Sequence, residues 1–280
     1  MTTTTARPVS VAELKHAWRA LQASPALDER PYAAGLARAD TWPPVGGRVI
    51  PVVGCGGGVG ASTLALALAE VAGAPCRLID CAPPAASALA GASTAELGDT
   101  GSGWRLGQRD DVLIERVTGS ALTPSDVPAP RGSEVQLTLT VVDVAWPLEA
   151  VLAHASWLRE LLVGAEPVVL ATTATLPGMR RLETTLAVLA QHRDVSQTVV
   201  AVLGPRLQRW PKPVRHSMGP SARSLQAAGR LVAMPFERRL ASTGPDPAPL
   251  PAPVLAAAAR VNELLPTSTA MTTAPKGSTP

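Results

Sequence analysis

A doubly wound α/β domain, with a mostly parallel sheet of about seven strands and helices on both faces, is the fold class that this 280-residue chain predicts. Three observations predict it. Strand-like and helix-like segments alternate from Arg48 onward, several of the strand-like ones are near-continuous Val/Leu/Ile runs, and a glycine-rich loop joins the first strand to the first helix. Continuous apolar runs are what a parallel sheet requires when helices cover both of its faces.

Strands are expected over residues 49–53, 76–80, 112–117, 136–143, 167–172, 198–203 and 230–234. Helices are expected over 61–72, 148–163, 178–191, 221–228 and 253–264, where apolar positions recur at helical spacing. Between Pro83 and Gly107 the chain is rich in Ala, Gly, Ser and Thr, its pattern assigns no element, and it reads either as a mobile loop near the site or as a small irregular excursion. Residues 1–45 read as an appendage to a domain spanning 46–265. Within it Ser10 caps a helix over 10–23 whose Val11, Leu14, Trp18 and Leu21 form an apolar stripe, and Glu13 completes a capping box. That helix either packs on the domain or docks a partner protein. The tail, 266–280, lacks apolar periodicity and reads as disordered.

Only 3% of residues are aromatic against 46% hydrophobic, so the core is expected to be built of Ala, Val and Leu. The formal charge of +3 is too small to imply nucleic acid or membrane binding by itself. Cys55, Cys76 and Cys81 show no metal-ligand spacing and read as reduced, buried thiols. The N-terminus lacks an apolar signal region, and no apolar run reaches the ~18 to 20 residues of a membrane span. A reduced cytoplasmic protein without a membrane span is expected.

The chemistry is concentrated in VIPVVGCGGGVGASTLALA, residues 49–67. A glycine-rich turn between a strand and a helix lets backbone N–H groups close around an anion and aims a helix N-terminus at it. Gly57, Gly58, Val59, Gly60 and Ser62 stand in register with the deviant Walker A loop of the ParA/MinD family of P-loop ATPases, KGGxGK[ST], which this segment resembles. Both lysines of that pattern are replaced, by Gly56 and by Ala61. The resemblance implies that a lysine at 61 would sit at the β- and γ-phosphates, and that one at 56 would reach across a nucleotide-sandwich homodimer.

Three further segments resemble the same family in order. CRLIDCAPP matches its Asp-x-Asp-Pro strand end through Asp80 and Pro83, with Ala82 in place of the second Asp. LTVVDVAWP resembles the Walker B strand through Asp143, and LVAMPFERRL resembles the late loop beside the base through Pro235 and Phe236. The resemblance thus implies phosphates held by Gly57, Gly58, Val59, Gly60, Ala61, Ser62 and Thr63, Mg²⁺ at Ser62 and Asp143, and a base beside Pro235 and Phe236. Asp80 is the one candidate for a catalytic role. With two lysines and an aspartate replaced, the expectation is a degenerate ATP or ADP binder, a pseudo-ATPase acting through partners in DNA partition, transfer or positioning. An arginine, Arg77 or one from a partner, is the alternative source of the missing cation.

Two other readings stay open. Gly56 to Ala61 also fits the dinucleotide fingerprint G-x-G-x-x-[GA], with Asp80 placed about 20 residues on as a ribose-binding acid of an NAD(P) domain. Against it, the sole tyrosine is Tyr32, outside the core, and His16, His154, His192 and His216 are scattered without an obvious carboxylate partner. The other reading is a non-catalytic scaffold that binds no nucleotide. Separately, residues 193–239 carry nine basic residues against two acids, densest in RLQRWPKPVRH, which reads as a long loop. Arg206, Arg209, Lys212, Arg215 and Arg223 are the candidates there for non-specific DNA contact.

Overall fold

The computed structural model describes residues 47–266 except 74, 131, 133–136 and 165–166. The helix expected over 10–23, the linker that follows it and the tail beyond Pro266 lie outside the described residues. All seven expected strands form: β1 (Arg48–Gly54), β2 (Cys76–Asp80), β5 (Val112–Val117), β6 (Leu139–Asp143), β7 (Val169–Thr173), β8 (Val199–Leu203) and β9 (Leu231–Met234). Two more precede β5, namely β3 (Ala95–Asp99) and β4 (Trp104–Arg109), so the sheet has nine strands rather than about seven.

The order across the sheet is β3-β4-β5-β2-β6-β1-β7-β8-β9. Every pairing from β5 to β9 is parallel, and β3, β4 and β5 form an antiparallel meander at one edge. The meander escapes a pattern search because all five residues of β3 are exposed, so no apolar alternation marks it. Asp110, at φ 48°, supplies the left-handed turn residue between β4 and β5, a position aspartate tolerates.

The helices are α1 (Ala61–Glu70), α2 (Leu148–Ala153), α3 (Trp157–Val163), α4 (Leu176–Leu189), α5 (Lys212–His216), α6 (Pro220–Ala227), α7 (Arg238–Thr243) and α8 (Ala252–Leu264). One helix was expected over 148–163, and two form. His154 is extended, and the Ser156 hydroxyl accepts the Arg159 N–H to cap a new start, an outcome favoured by serine's preference for caps over helix interiors. The segment expected as a loop, 206–216, holds a 3₁₀ turn at Leu207–Arg209 and then α5.

Both faces of the sheet are buried. Leu64, Leu66 and Leu68 of α1 and Val254 and Ala258 of α8 pack against Ile50, Leu78 and Val141 on one face. On the other, Trp157, Leu161, Leu182 and Leu186 cover Val53, Ile79 and Val142. The three cysteines are buried and free. Among the described residues no helix is long and apolar enough to cross a membrane.

One buried cation binds several parts together. Arg109, at the end of β4, is only 2% exposed. Its guanidinium donates to Glu70 at the end of α1 and to the carbonyl oxygens of Ala92, Asp246 and Ala248.

Candidate functional site

The loop after β1 is fastened at its start, where the Cys55 N–H donates to the Ala171 carbonyl of β7 at 2.8 Å. Gly58 and Gly60 take φ of +69° and +83°, and Gly60 is the N-cap of α1. These are left-handed conformations that glycine adopts without a steric cost. A β-carbon on Gly57 or Gly58 would meet nothing within 4 Å, so the loop is open in front of them. Among the described residues, the backbone N–H groups from Gly56 to Thr63 donate to no protein acceptor. The first turn of α1 and the loop before it therefore present a row of free donors, the arrangement that binds anions.

This loop lines a cavity of about 840 Å³, a volume within the range of small-molecule sites. The structure brings together here Gly57 to Thr63, Asp143, Pro235 and Phe236, as the sequence led us to expect. Its apolar lining includes Leu203, Met234, Leu240 and Val254, of which Met234 and Leu203 lie beside Gly60 of the loop. Phe236 stands at the surface, 60% exposed, as a large ring available to a flat ligand.

Asp143 and Asp80 end β6 and β2 and are paired in register. Asp143 is fully enclosed, and neither of its carboxylate oxygens has a hydrogen-bond partner of ordinary geometry. Burial, then the charge of Asp80, pushes its pKa up to about 7, an effect that the nearby Ser62 hydroxyl only partly offsets. Asp80 is also raised by burial, but it is well partnered: the Ala82 N–H donates to Oδ1 at 2.9 Å and the Ser87 hydroxyl to Oδ2 at 2.5 Å. Its carboxyl is tied into the turn after β2, and Asp80 does not line the cavity. The structure thus places Asp80 beside the candidate metal ligand, in a supporting position.

Among the described residues, no group of three or more His, Cys, Asp or Glu could hold a metal ion. A divalent cation in this cleft would need Ser62, Asp143, water and the ligand's own oxygens, which is the habit of Mg²⁺. The orphaned oxygens of Asp143 fit that role. No carboxylate from the stretch 83–130 lines the cavity to stand in for the aspartate missing at Ala82. Glu149 and Glu237 are the other acids on its wall.

Arg77 is not the substitute cation. It is 1% exposed within β2, ion-paired to Glu115 at 2.6 Å, and it does not line the cavity. The cations that do are Arg180 and Arg181 of α4, which sequence reasoning missed. A signal was there, because the strand–helix turns at the carboxyl end of a doubly wound sheet form its ligand crevice, and these arginines follow such a turn.

The five candidate DNA residues do not reach the cavity. Arg206, Arg209, Lys212, Arg215 and Arg223 are exposed on the 3₁₀ turn, α5 and α6. Of the five, Arg223 donates to the Met218 carbonyl at 2.8 Å, and other arginines of the basic segment are engaged as well: Arg193 with the Leu162 carbonyl, Arg230 with Gln197, Arg239 with Asp246. Trp210 belongs to the core, its indole N–H donating to the Pro205 carbonyl at 2.8 Å.

The sheet order also bears on the dinucleotide fingerprint. In a dinucleotide-binding sheet the second strand lies next to the first, as in the order 3-2-1-4-5-6. Here β6 lies between β1 and β2, and the Asp80 carboxyl is consumed internally, so it is not offered to a ribose.

No protein-family model matches the chain, and no curated protein matches its sequence. Solved structures to which it is similar include a putative plasmid partition protein of Borrelia burgdorferi bound to AMPPNP, at 13% identity over 78% of this chain and 98% of that one, with a TM-score of 0.45. They include the MinD cell division protein of Aquifex aeolicus, at 14% identity over 77% and 97%, TM-score 0.47. They also include the cell division ATPase MinD of Pyrococcus furiosus, at 14% identity over 78% and 99%, TM-score 0.48. MinD and plasmid-partition proteins, the group whose loop motif this sequence resembles, are thus among the structures to which the chain is similar.

Proposed function

We propose that the cleft binds a nucleoside di- or triphosphate with Mg²⁺ and turns it over poorly, so that the protein works as a nucleotide-bound adaptor in DNA partition, transfer or positioning. The observation that carries this reading is the conjunction, in one cavity, of free N–H donors from Gly56 to Thr63, the unpartnered carboxyl of Asp143 and an apolar lining that includes Met234, Pro235 and Phe236. Anion, cation and flat apolar group each find a matching wall. Ser62 and Asp143 would hold the metal, whose contribution is to neutralise phosphate charge. The loop N–H groups orient the phosphates, while Pro235 and Phe236 shield the base from water.

Poor turnover follows from what the chain lacks. Ammonium–phosphate contacts are roughly twice as strong as neutral hydrogen bonds, and residues 56 and 61 supply none. Ala82 contributes only its N–H, to Asp80, so no carboxylate there orients an attacking water. The exposed cations of α5, α6 and the turn before them support a DNA-contacting surface, and a homodimer and a partner at residues 10–23 rest on the motif resemblance and the sequence pattern.

Isothermal titration of MgATP, MgADP and NADPH into the full chain, with phosphate release followed in parallel, tests the reading. The expected outcome is binding of the adenine nucleotides, none of NADPH, and phosphate release at background. No binding at ~1 mM nucleotide, equivalent to about −4 kcal/mol, favours the scaffold instead.

A further inference from the structure

The loop carries no cation, yet one lies across it. A β-carbon built on Gly56 would fall 2.9 Å from Nη1 of Arg181, 3.4 Å from its Cδ and 3.6 Å from its Cζ. The Arg181 side chain therefore runs over the backbone of Gly56 and fills the space where a side chain at 56 would start. Gly56 has no left-handed φ, so backbone conformation does not call for glycine there. Room for Arg181 does.

The surroundings give this guanidinium no protein partner. Among the described residues Arg181 makes no ion pair or hydrogen bond, and the nearby Glu183 is committed to the N–H groups of Ser221 and Ala222 at the start of α6. Five N–H donors of a planar fork thus face the same cavity as the free N–H row of the loop. The unpartnered, fully buried carboxyl of Asp143 lines that cavity as well and calls for a cation there. N–H donors and an orphan carboxylate in one cavity match a metal-bound polyphosphate.

We propose that Arg181 of α4 supplies, from within the same chain, the cationic phosphate contact for which loop positions 56 and 61 carry no lysine. The proposal rests on the nucleotide reading above and deepens it: the charge-bearing residue has moved from the loop to the neighbouring helix, and its room is provided by Gly56. Guanidinium meets phosphate through two parallel hydrogen bonds, a geometry lysine cannot reproduce. Because the contact is made in cis, phosphate binding does not depend on a second copy of the chain.

The test titrates MgATP, inorganic tripolyphosphate and adenosine into the full chain and into Arg181→Ala and Arg181→Lys. Loss of one charge-assisted contact is expected to weaken MgATP and tripolyphosphate about 10- to 100-fold and leave adenosine unchanged, with Arg181→Lys recovering part of the loss. Arg181 is exposed, so the melting temperatures of both variants should match the wild type. In the Arg181→Ala background, adding Gly56→Lys should restore phosphate affinity, because the new side chain enters the freed space. If Arg181→Ala binds tripolyphosphate as tightly as the wild type, the inference is overturned while the nucleotide reading stands. If the wild type binds neither MgATP nor tripolyphosphate, both fall together.

Discussion

Asp80 and Asp143 stand side by side at the carboxyl ends of β2 and β6, both buried, one fully hydrogen-bonded and the other with no partner. Two enclosed carboxyls on neighbouring strands resist double ionisation, and the unpartnered one yields more readily to protonation or to a metal.

Their titration sets a pH dependence with a definite sign. Asp143 is raised from 3.8 to about 7, so across that window the folded state holds more protons than the unfolded chain and stability falls as pH rises. Asp143→Asn removes the charge. Thermal melts should show the variant several degrees more stable than wild type at pH 8 and no different near pH 4, each kcal/mol moving Tm by roughly 2–4 °C in a domain of this size.

Two loop glycines should separate binding from folding. Gly57→Ala adds a methyl into open space at an unstrained position, so it should leave Tm within about 1 °C while weakening MgATP binding at the cradle. Gly60→Ala combines φ of +83° with a β-carbon 2.5 Å from Cε of Met234. It should cost about 1–2 kcal/mol from the left-handed backbone alone, before Met234 moves, and both Tm and binding should fall.

Ala61 begins α1 on the cavity wall and carries no left-handed strain. Ala61→Lys should place an ammonium among the phosphate donors and raise MgATP affinity about tenfold or more, as read by calorimetry. An unchanged affinity would mean that position 61 does not face the phosphates.

The exposed cations of α5 and the turn before it should show themselves through salt. Gel shifts on duplex DNA of arbitrary sequence should weaken steeply between ~50 and ~200 mM salt. Replacing Arg206, Arg209, Lys212 and Arg215 with Ala should flatten the slope of log affinity against log salt by up to about 4 and leave MgATP binding intact. A salt-insensitive shift would rule this surface out.

The parts of the fold that were legible in the sequence are those whose burial is two-sided. Val49–Val53, Val199–Leu203 and the other parallel strands advertise themselves because both faces are covered, and Gly58 and Gly60 because left-handed φ selects for glycine. β3 gave no such sign, since Ala95 to Asp99 bury nothing and exist by pairing with β4. At the site, Gly57 to Thr63, Asp143, Pro235 and Phe236 were legible through the motifs that contain them. Arg181 was not, because its relation to Gly56 spans 125 positions of chain and is created only when β7 takes its place beside β1. Arg77 misled for the converse reason: its charge is spent on Glu115, 38 residues away on the neighbouring strand β5.

Arg109 gives the edge meander a meaning beyond its own pairing. Its guanidinium holds the end of α1, the carbonyl of Ala92 and the stretch just beyond Gly244 and Pro245, which form part of the cavity wall. The helix behind the glycine-rich loop and the stretch beyond Pro245 are thus moored to one buried side chain that does not line the cavity. β4, a strand that sequence reasoning left out, therefore does more than extend the sheet: through one buried guanidinium it joins the helix behind the glycine-rich loop to a segment that continues from the cavity lining.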